Sequence, residues 1–464
     1  MAKLKLKIPI RRGDKLELEV ETLASSGDGI ARFEGYTIFV PQGAPGDLIS
    51  AYIEKTTPRF GVARILEMVS PSKDRIEPSC PVFPKCGGCK LQFLPYEKQT
   101  DFKVQVLKND LQRIGKVDFL EDIRILPAES PIACRNKASF AVQKTANSKN
   151  IKIGFYRHGT HEVVDSSVCE ALQPPLNQTK EIIRNQLDNL GLSVYDEKRH
   201  KGFLRGISVR SSLHNGETLV GFVTTRGKFP KGFIEQTAEK IIQANIRLVG
   251  IGQNINSKKT NVILGTNNRT LWGNNYIEEQ LGDLKFRLSL PSFFQVNSLQ
   301  AKNLYELVES WVGLEGDIVV DAYSGVGTIA LWLARKGRSV IGIEEFENAI
   351  EDANISAKLN NIDSCKFLTG TVEYCMKELI SGPLIDAIIV DPPRKGCSPE
   401  VIESMLQLAP KKIVYISCNP STLARDLSKI CEKNYQITKI YAIDMFPQTS
   451  HIESAVLLTN IVNL

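Results

Sequence analysis

Beyond residue 290 short apolar runs alternate with longer amphipathic stretches, and that rhythm limits the fold more than any other feature of the sequence. Ile318 to Asp321 reads as a buried strand, followed by Ser339 to Glu344, Lys366 to Thr369, Asp386 to Asp391, Lys412 to Cys418, Ile437 to Asp444 and Ser454 to Thr459. Helical stretches lie between them, among them Thr328 to Arg335 and Glu347 to Leu359. Strands separated by helices of about 10–15 residues build a parallel sheet covered on both faces. Such sheets hold ligands at the carboxyl ends of their strands, so the strand ends are where chemistry is to be sought.

Three strand ends carry chemical signatures. After the first comes Asp321-Ala322-Tyr323-Ser324-Gly325-Val326-Gly327-Thr328, a turn whose glycines let the backbone bend tightly beside a ligand. It lacks the third glycine of the dinucleotide fingerprint, and Glu344 ends the next strand, where a carboxylate can accept from both ribose hydroxyls. S-adenosylmethionine has that ribose and no pyrophosphate. Asp391-Pro392-Pro393-Arg394 places a carboxylate on a turn stiffened by two prolines. Enzymes that methylate exocyclic base nitrogens have an aromatic residue where this chain has Arg394. Ser417-Cys418-Asn419-Pro420 ends the next strand, and a cysteine there stands where a nucleophile belongs. Uracil C5 is a poor nucleophile toward a sulfonium methyl. Addition of a thiolate to C6 makes an enolate that activates C5, after which a base must remove the C5 proton. His451-Ile452-Glu453, just before the last strand, is placed to supply that base.

Residues 9–70 read as a small all-β barrel of short strands parted by Gly/Pro turns, either an oligonucleotide-binding module or a structural lid. The strands expected are Lys15 to Thr22, Thr37 to Val40, Leu48 to Lys55 and Gly61 to Val69, with Ser25 to Gly29 as a turn-rich run. Cys80, Cys86 and Cys89 follow in a Gly/Pro loop. Soft thiolates select zinc or iron–sulfur, and the spacing alone leaves both open. Cys169 and Cys134 are candidates for a fourth ligand. A helix is expected from Tyr96 to Arg113, ending at Gly115. The middle of the chain, to about residue 290, is mixed α/β with basic clusters at Arg135/Lys137 and at Lys198, Arg199, His200, Lys201, Arg205 and Arg210. A basic run is ordinarily a solvated face. The net charge of +6 is compatible with nucleic acid without demanding it. No apolar run approaches the roughly 18–20 residues of a membrane span, which points to a cytoplasmic protein whose ten cysteines are ligands, catalysts or core residues rather than disulfides.

Taken together the motifs resemble the bacterial RNA uracil-5-methyltransferases that carry an iron–sulfur cluster, most closely the 23S ribosomal RNA group. The resemblance covers almost the whole chain. It implies an N-terminal OB-like TRAM barrel at 9–70 that binds RNA, a mixed α/β central domain with the iron–sulfur loop at 71–290, and a Rossmann-like SAM-dependent methyltransferase domain at 291–464. It implies a [4Fe-4S] cluster on Cys80, Cys86, Cys89 and Cys169, with Cys134 left as a core residue where the family usually has tyrosine. It implies S-adenosyl-L-methionine held by Gln295, Tyr323, Glu344 and Asp391, with Cys418 as nucleophile and Glu453 as base. The expected substrate is RNA, 23S rRNA foremost and the T-loop uridine of tRNA as the alternative, with no membrane and no obligate protein partner. An RNA 5-methylcytosine enzyme would carry a second cysteine within the Pro-Pro motif, at about the place that Arg394 occupies here, and a catalytically silent assembly factor is at odds with Asp391, Cys418 and Glu453 occurring together.

Overall fold

The computed structural model describes residues 8–117, 123–145, 150–188, 190–260, 263–313 and 318–462. The chain forms two compact units: Met1–Val106 together with Phe446–His451, and Leu107–Met445 together with Ile452–Leu464.

The first unit is built on a closed five-stranded barrel in the order Lys15–Leu23, Gly29–Phe33, Tyr36–Val40, Gly61–Ser70, Leu48–Thr56. Alternate residues point inward, as the period of two requires, so that Leu18, Val20, Ala31, Ile38, Val40, Ile49, Ala51, Ile53 and Ala63 form its core. The strand Gly29–Phe33 was not expected from the sequence. It is short and follows the turn-rich run directly, so its two inward residues, Gly29 and Ala31, give no apolar pattern of their own. Buried Asp47 ties the barrel to the segment after it, accepting from the Ala44 and Ser72 N–H groups at 2.7 and 2.9 Å and from Arg75 Nε at 3.0 Å. Phe446–His451 belongs to this unit through hydrogen bonds no local pattern announces. The Gln448 carbonyl accepts from Lys90 and Leu91 N–H at 2.8 and 3.1 Å, just past Cys89, and the amides of Gln99 and Gln448 meet at 2.9 Å.

The second unit contains two large sheets. A seven-stranded sheet runs in the order Asn267–Gly273, Leu248–Ile255, Thr218–Thr224, Leu204–Ser211, Lys137–Lys144, Ile151–Tyr156, Val163–Asp165. Residues of the helices Pro174–Asp188 and Phe233–Gln243 complete its core. Two residues of the expected basic surface are in fact interior. Arg205 is buried and donates to the carbonyls of Asn256, Lys258 and Thr260, while Arg210 is buried and donates to the Ser292 carbonyl. Both stand on a strand every residue of which is buried, so their guanidinium groups satisfy loop carbonyls rather than solvent.

The eight-stranded sheet has the order Cys365–Thr369, Ser339–Glu344, Ile318–Ala322, Ala387–Val390, Lys412–Ser417, Glu453–Asn460, Tyr435–Ile443, Arg124–Leu126. All the expected strands of the C-terminal third are present. The sheet is not wholly parallel, however: Glu453–Asn460 is antiparallel to both neighbours. The chain passes to Tyr435–Ile443 and comes straight back to fill the place it left, and a direct return without a crossover helix can only be antiparallel. No helix among the described residues is long and apolar enough to cross a membrane.

Candidate active site

At the carboxyl end of the parallel strands lies a cavity of about 530 Å³, within the range of small-molecule sites. Gln295, Tyr323, Glu344 and Asp391 all line it, although they come from four separate segments. The glycine turn forms one wall. Gly325 N–H donates to Glu344 Oε2 at 2.9 Å and Phe346 N–H donates to Oε1 at 3.0 Å, so the carboxylate is locked by backbone with lone pairs left for a ligand's hydroxyls. Tyr323 sits at φ +66°, a left-handed conformation that an aromatic residue adopts at a cost and that turns its side chain into the cavity wall. Gly327 at φ +77° has no alternative, because a Cβ there would lie 2.6 Å from the ring of Phe367. Gly327→Ala is expected to lose on the order of 1–3 kcal/mol of stability together with cofactor affinity; thermal unfolding with and without S-adenosylmethionine measures both, and an unchanged midpoint would mean that the turn tolerates the side chain.

The segment bearing Gln295 is positioned from the seven-stranded sheet. Asn136, buried, donates through Nδ2 to the Gln295 carbonyl at 3.0 Å and to Ser298 Oγ at 2.8 Å, and its N–H donates to the Val296 carbonyl at 2.7 Å. With the Arg210 bond to Ser292, this makes Asn136 a brace for the cofactor wall.

Sequence reasoning missed several lining residues. Asp321 ends the first strand fully buried, and neither of its carboxylate oxygens makes a well-formed hydrogen bond. Ser324 Oγ is likewise unsatisfied. Burial first, then the neighbouring Asp391 and Glu344, hold Asp321 well above the ordinary carboxylate range. The acidic position before a glycine turn was visible in the sequence, but its burial was not. Phe293 and Phe346, 68% and 65% exposed, stand at the rim and leave aromatic faces open. Among the described residues lining the cavity are three carboxylates, Asp321, Glu344 and Asp391, and no Lys, Arg or His. Such a wall repels a pyrophosphate and suits a cationic ligand with an aromatic base. S-adenosylmethionine carries both a sulfonium and an ammonium charge, so the residues present fit it.

Cys418 and Glu453 do not line this cavity; Asp391 links them to it. The strand register ends with Ser417 paired to Ser454, and Cys418 and Glu453 are the residues next to that pair. Burial first, then the charges of Glu453 and Asp391, push the Cys418 thiol up to about 11, while Arg394 opposes the shift. Burial, then Asp391, holds Glu453 well above the carboxylate range, again against Arg394, and burial lifts Asp391 to about 6. Glu453 Oε1 is buried without a hydrogen-bond partner. The turn bearing Arg394 is fastened to the cysteine motif, since Asn419 Nδ2 donates to the Arg394 carbonyl at 2.9 Å. The site therefore combines a thiol, a basic buried carboxylate and one guanidinium that favours both anions.

All ten cysteines are free of disulfides. Cys80, Cys86 and Cys89 are half-buried in an irregular loop of the first unit, where the Gly88 N–H points at Cys86 Sγ at 3.4 Å, and Cys169 is half-buried in the second unit. Cys134 is also half-buried, beside the Ala171 carbonyl. Among the described residues no group of three or more His, Cys, Asp or Glu side chains is arranged to hold a metal ion. Cys80, Cys86 and Cys89 supply soft thiolate donors of the kind that suit iron or zinc.

Residues 243–461 match the tRNA (uracil-5-)-methyltransferase family, and residues 9–66 match the TRAM domain. An uncharacterized RNA methyltransferase of Clostridium tetani is 38% identical over 98% of this chain and 98% of its own, and another of Clostridium acetobutylicum is 37% identical over 98% and 99%. The crystal structure of the Pyrococcus abyssi tRNA (uracil-54, C5)-methyltransferase in complex with S-adenosyl-L-homocysteine superimposes with a TM-score of 0.78 at 30% identity, covering 96% of this chain and 99% of that one. The chain belongs to the RNA uracil-5-methyltransferase family. It is a SAM-dependent RNA methyltransferase with an N-terminal TRAM barrel and a C-terminal methyltransferase fold, and the acid-lined cavity is consistent with that donor.

Proposed function

We propose that this enzyme forms 5-methyluridine in 23S ribosomal RNA by transient covalent attachment of the uracil to Cys418. The observation that carries the reading is the meeting of three features at one end of the sheet: a cofactor cavity bounded by Asp391, a thiol whose ionisation responds to Asp391, and a buried carboxylate, Glu453, whose charge acts on that thiol. Gln295, Tyr323, Glu344 and Asp391 hold S-adenosyl-L-methionine, and the buried Asp321 adds a carboxyl group whose ionisation a cationic ligand would favour. When bound, that molecule supplies an electrophilic methyl group. Cys418 adds to C6 as the thiolate, which the Arg394 charge favours. The C5 carbon so activated takes the methyl, Glu453 accepts the C5 proton, and the C6–S bond breaks to release the product and the thiolate.

Because its ionised form appears only above the usual carboxylate range, Glu453 is a stronger base than an exposed glutamate. Only the ionised form accepts a proton, so turnover should rise with pH through and beyond the ordinary carboxylate range, the Cys418 thiolate growing in the same direction. A rate already flat across that range would separate turnover from the titration of Glu453.

Mapping 5-methyluridine in ribosomal and transfer RNA of a strain lacking the enzyme tests the assignment. Loss of the mark at a 23S uridine is expected. Loss confined to the tRNA T-loop would overturn the choice of RNA and favour the second reading, which the P. abyssi likeness supports. No loss in either RNA would overturn the activity.

The proposal extends to a [4Fe-4S] cluster on Cys80, Cys86, Cys89 and Cys169, on the strength of the family resemblance and of four half-buried thiols outside any disulfide. No step of methyl transfer passes through it. Anaerobically purified protein is expected to contain iron and sulfide with a broad near-visible absorbance; zinc without iron in that preparation would refute the cluster.

A further inference from the structure

A second cavity of the same unit, about 410 Å³, shares no residue with the cofactor cavity. Phe155, Tyr156 and His161 wall it, with the Tyr156 and His161 rings edge-on at 5.4 Å. Ser139, Glu197 and Arg205 bring polar groups into it. Arg205 is held from behind by three loop carbonyls and by stacking at 4.4 Å over Tyr195, and Glu197 accepts from it at 3.3 Å.

Three segments converge on this cavity: 156–161, 196–201 and 256–260, through Tyr156 and His161, Glu197, and Thr260. Together they carry six Lys and Arg residues against two carboxylates. The middle segment is a fixed turn. Lys198 and Arg199 N–H donate to Asp196 Oδ1 at 2.8 and 3.0 Å, the Asp196 and Lys201 backbones bond at 2.8 Å, and Tyr195 Oη meets His200 Nδ1 at 3.1 Å. The basic run at 198–201 is thus anchored to the cavity it borders. The cavity also adjoins the active site along the chain: Ile263 lines it, while Leu264, Gly265 and Thr266 line the cofactor cavity. Buried Asn254 and Asn256 clamp that segment, bonding Gly265 through both amide atoms at 2.7 and 2.8 Å and the Ile263 carbonyl at 3.1 Å.

We propose that this cavity receives a second, unstacked nucleobase of the substrate RNA, a few nucleotides from the target uridine, while the surrounding lysines and arginines hold its flanking phosphates. Aromatic faces stack an extruded base, and cations beside them neutralise the backbone. The Glu197 carboxylate accepts from an exocyclic amino group, which favours adenine, cytosine or guanine over uracil. The inference rests on RNA being the substrate and not on which uridine is methylated.

Two measurements test it on the full chain. Ultraviolet crosslinking to 23S and tRNA transcripts, with peptide mapping, is expected to attach a nucleotide at Tyr156 or His161. Tyr156→Ala should raise KM for RNA about tenfold with kcat and S-adenosylmethionine affinity unchanged, Tyr156→Phe should restore KM, and Lys198→Ala with Lys201→Ala should flatten the salt dependence of RNA binding. Crosslinks confined to other peptides, or an unaltered KM in folded Tyr156→Ala, would overturn the proposal. If Tyr156→Ala fails to fold, the crosslink and the exposed double-lysine variant decide. Should the wild type bind RNA but methylate no uracil, crosslinking still judges this pocket while the activity proposed above fails.

Discussion

Cys418→Ala is expected to lower methyl transfer by on the order of 10⁴–10⁶-fold, as removal of a covalent nucleophile does, while leaving S-adenosylmethionine binding near the wild-type value. The separation follows from the layout: the cofactor cavity is lined by Gln295, Tyr323, Glu344 and Asp391, and Cys418 stands outside it. Alanine removes the thiol without disturbing the Ser417 and Asn419 bonds that shape the turn, since these run between Ser417 Oγ and the Asn419 backbone. Calorimetric cofactor titration and a tritium-release or methyl-incorporation assay read the two properties separately. With RNA carrying 5-fluorouracil at the target, wild type should form a stable adduct, because fluorine cannot leave C5 as a proton does. Appreciable turnover by the alanine variant, or no adduct with wild type, would remove Cys418 from the role of nucleophile.

Glu453→Gln should stall the reaction after the methyl has moved, with turnover down by about 10²–10⁴-fold. The amide preserves the shape of a side chain that is almost wholly buried yet cannot accept the C5 proton. The methylated base then stays bonded to Cys418, and a protein–RNA species should accumulate with natural RNA, visible on a denaturing gel. The substitution also removes a charge that disfavours the thiolate, so addition to C6 should not suffer. Fast turnover without accumulation would assign proton removal to another group or to water.

Much of the catalytic unit was legible before the structure. The strands Ser339–Glu344 and Lys412–Ser417 and the helix Glu347–Leu359 were read to within a residue, because the strands are short apolar runs and the helix repeats its apolar residues, Ile350, Ala353 and Ala357, at helical spacing. Tyr323, Glu344 and Asp391 share one cavity because each ends or adjoins a strand at the same edge, and Gln295 is brought to it by the loop that Asn136 holds. Other readings failed where local pattern is silent. Arg205 and Arg210 look like surface charge in sequence and are buried because carbonyls from distant loops receive them. Asp321 looks like an ordinary strand-end acid; its unsatisfied oxygens arise from what packs around it.

By itself the sequence determined the alternation that builds the sheet, the glycine turn, and which residue types stand at the strand ends, because hydrophobic periodicity and turn chemistry act over a few residues. Only the tertiary structure decided that the last strand returns antiparallel, so that Ser454 pairs with Ser417 and Glu453 comes close enough to act on Cys418. It alone placed Phe446–His451 with the first unit and braced Gln295 from Asn136. Those outcomes depend on hydrogen-bond partners and burial brought together from far along the chain, and no window of neighbouring residues encodes them.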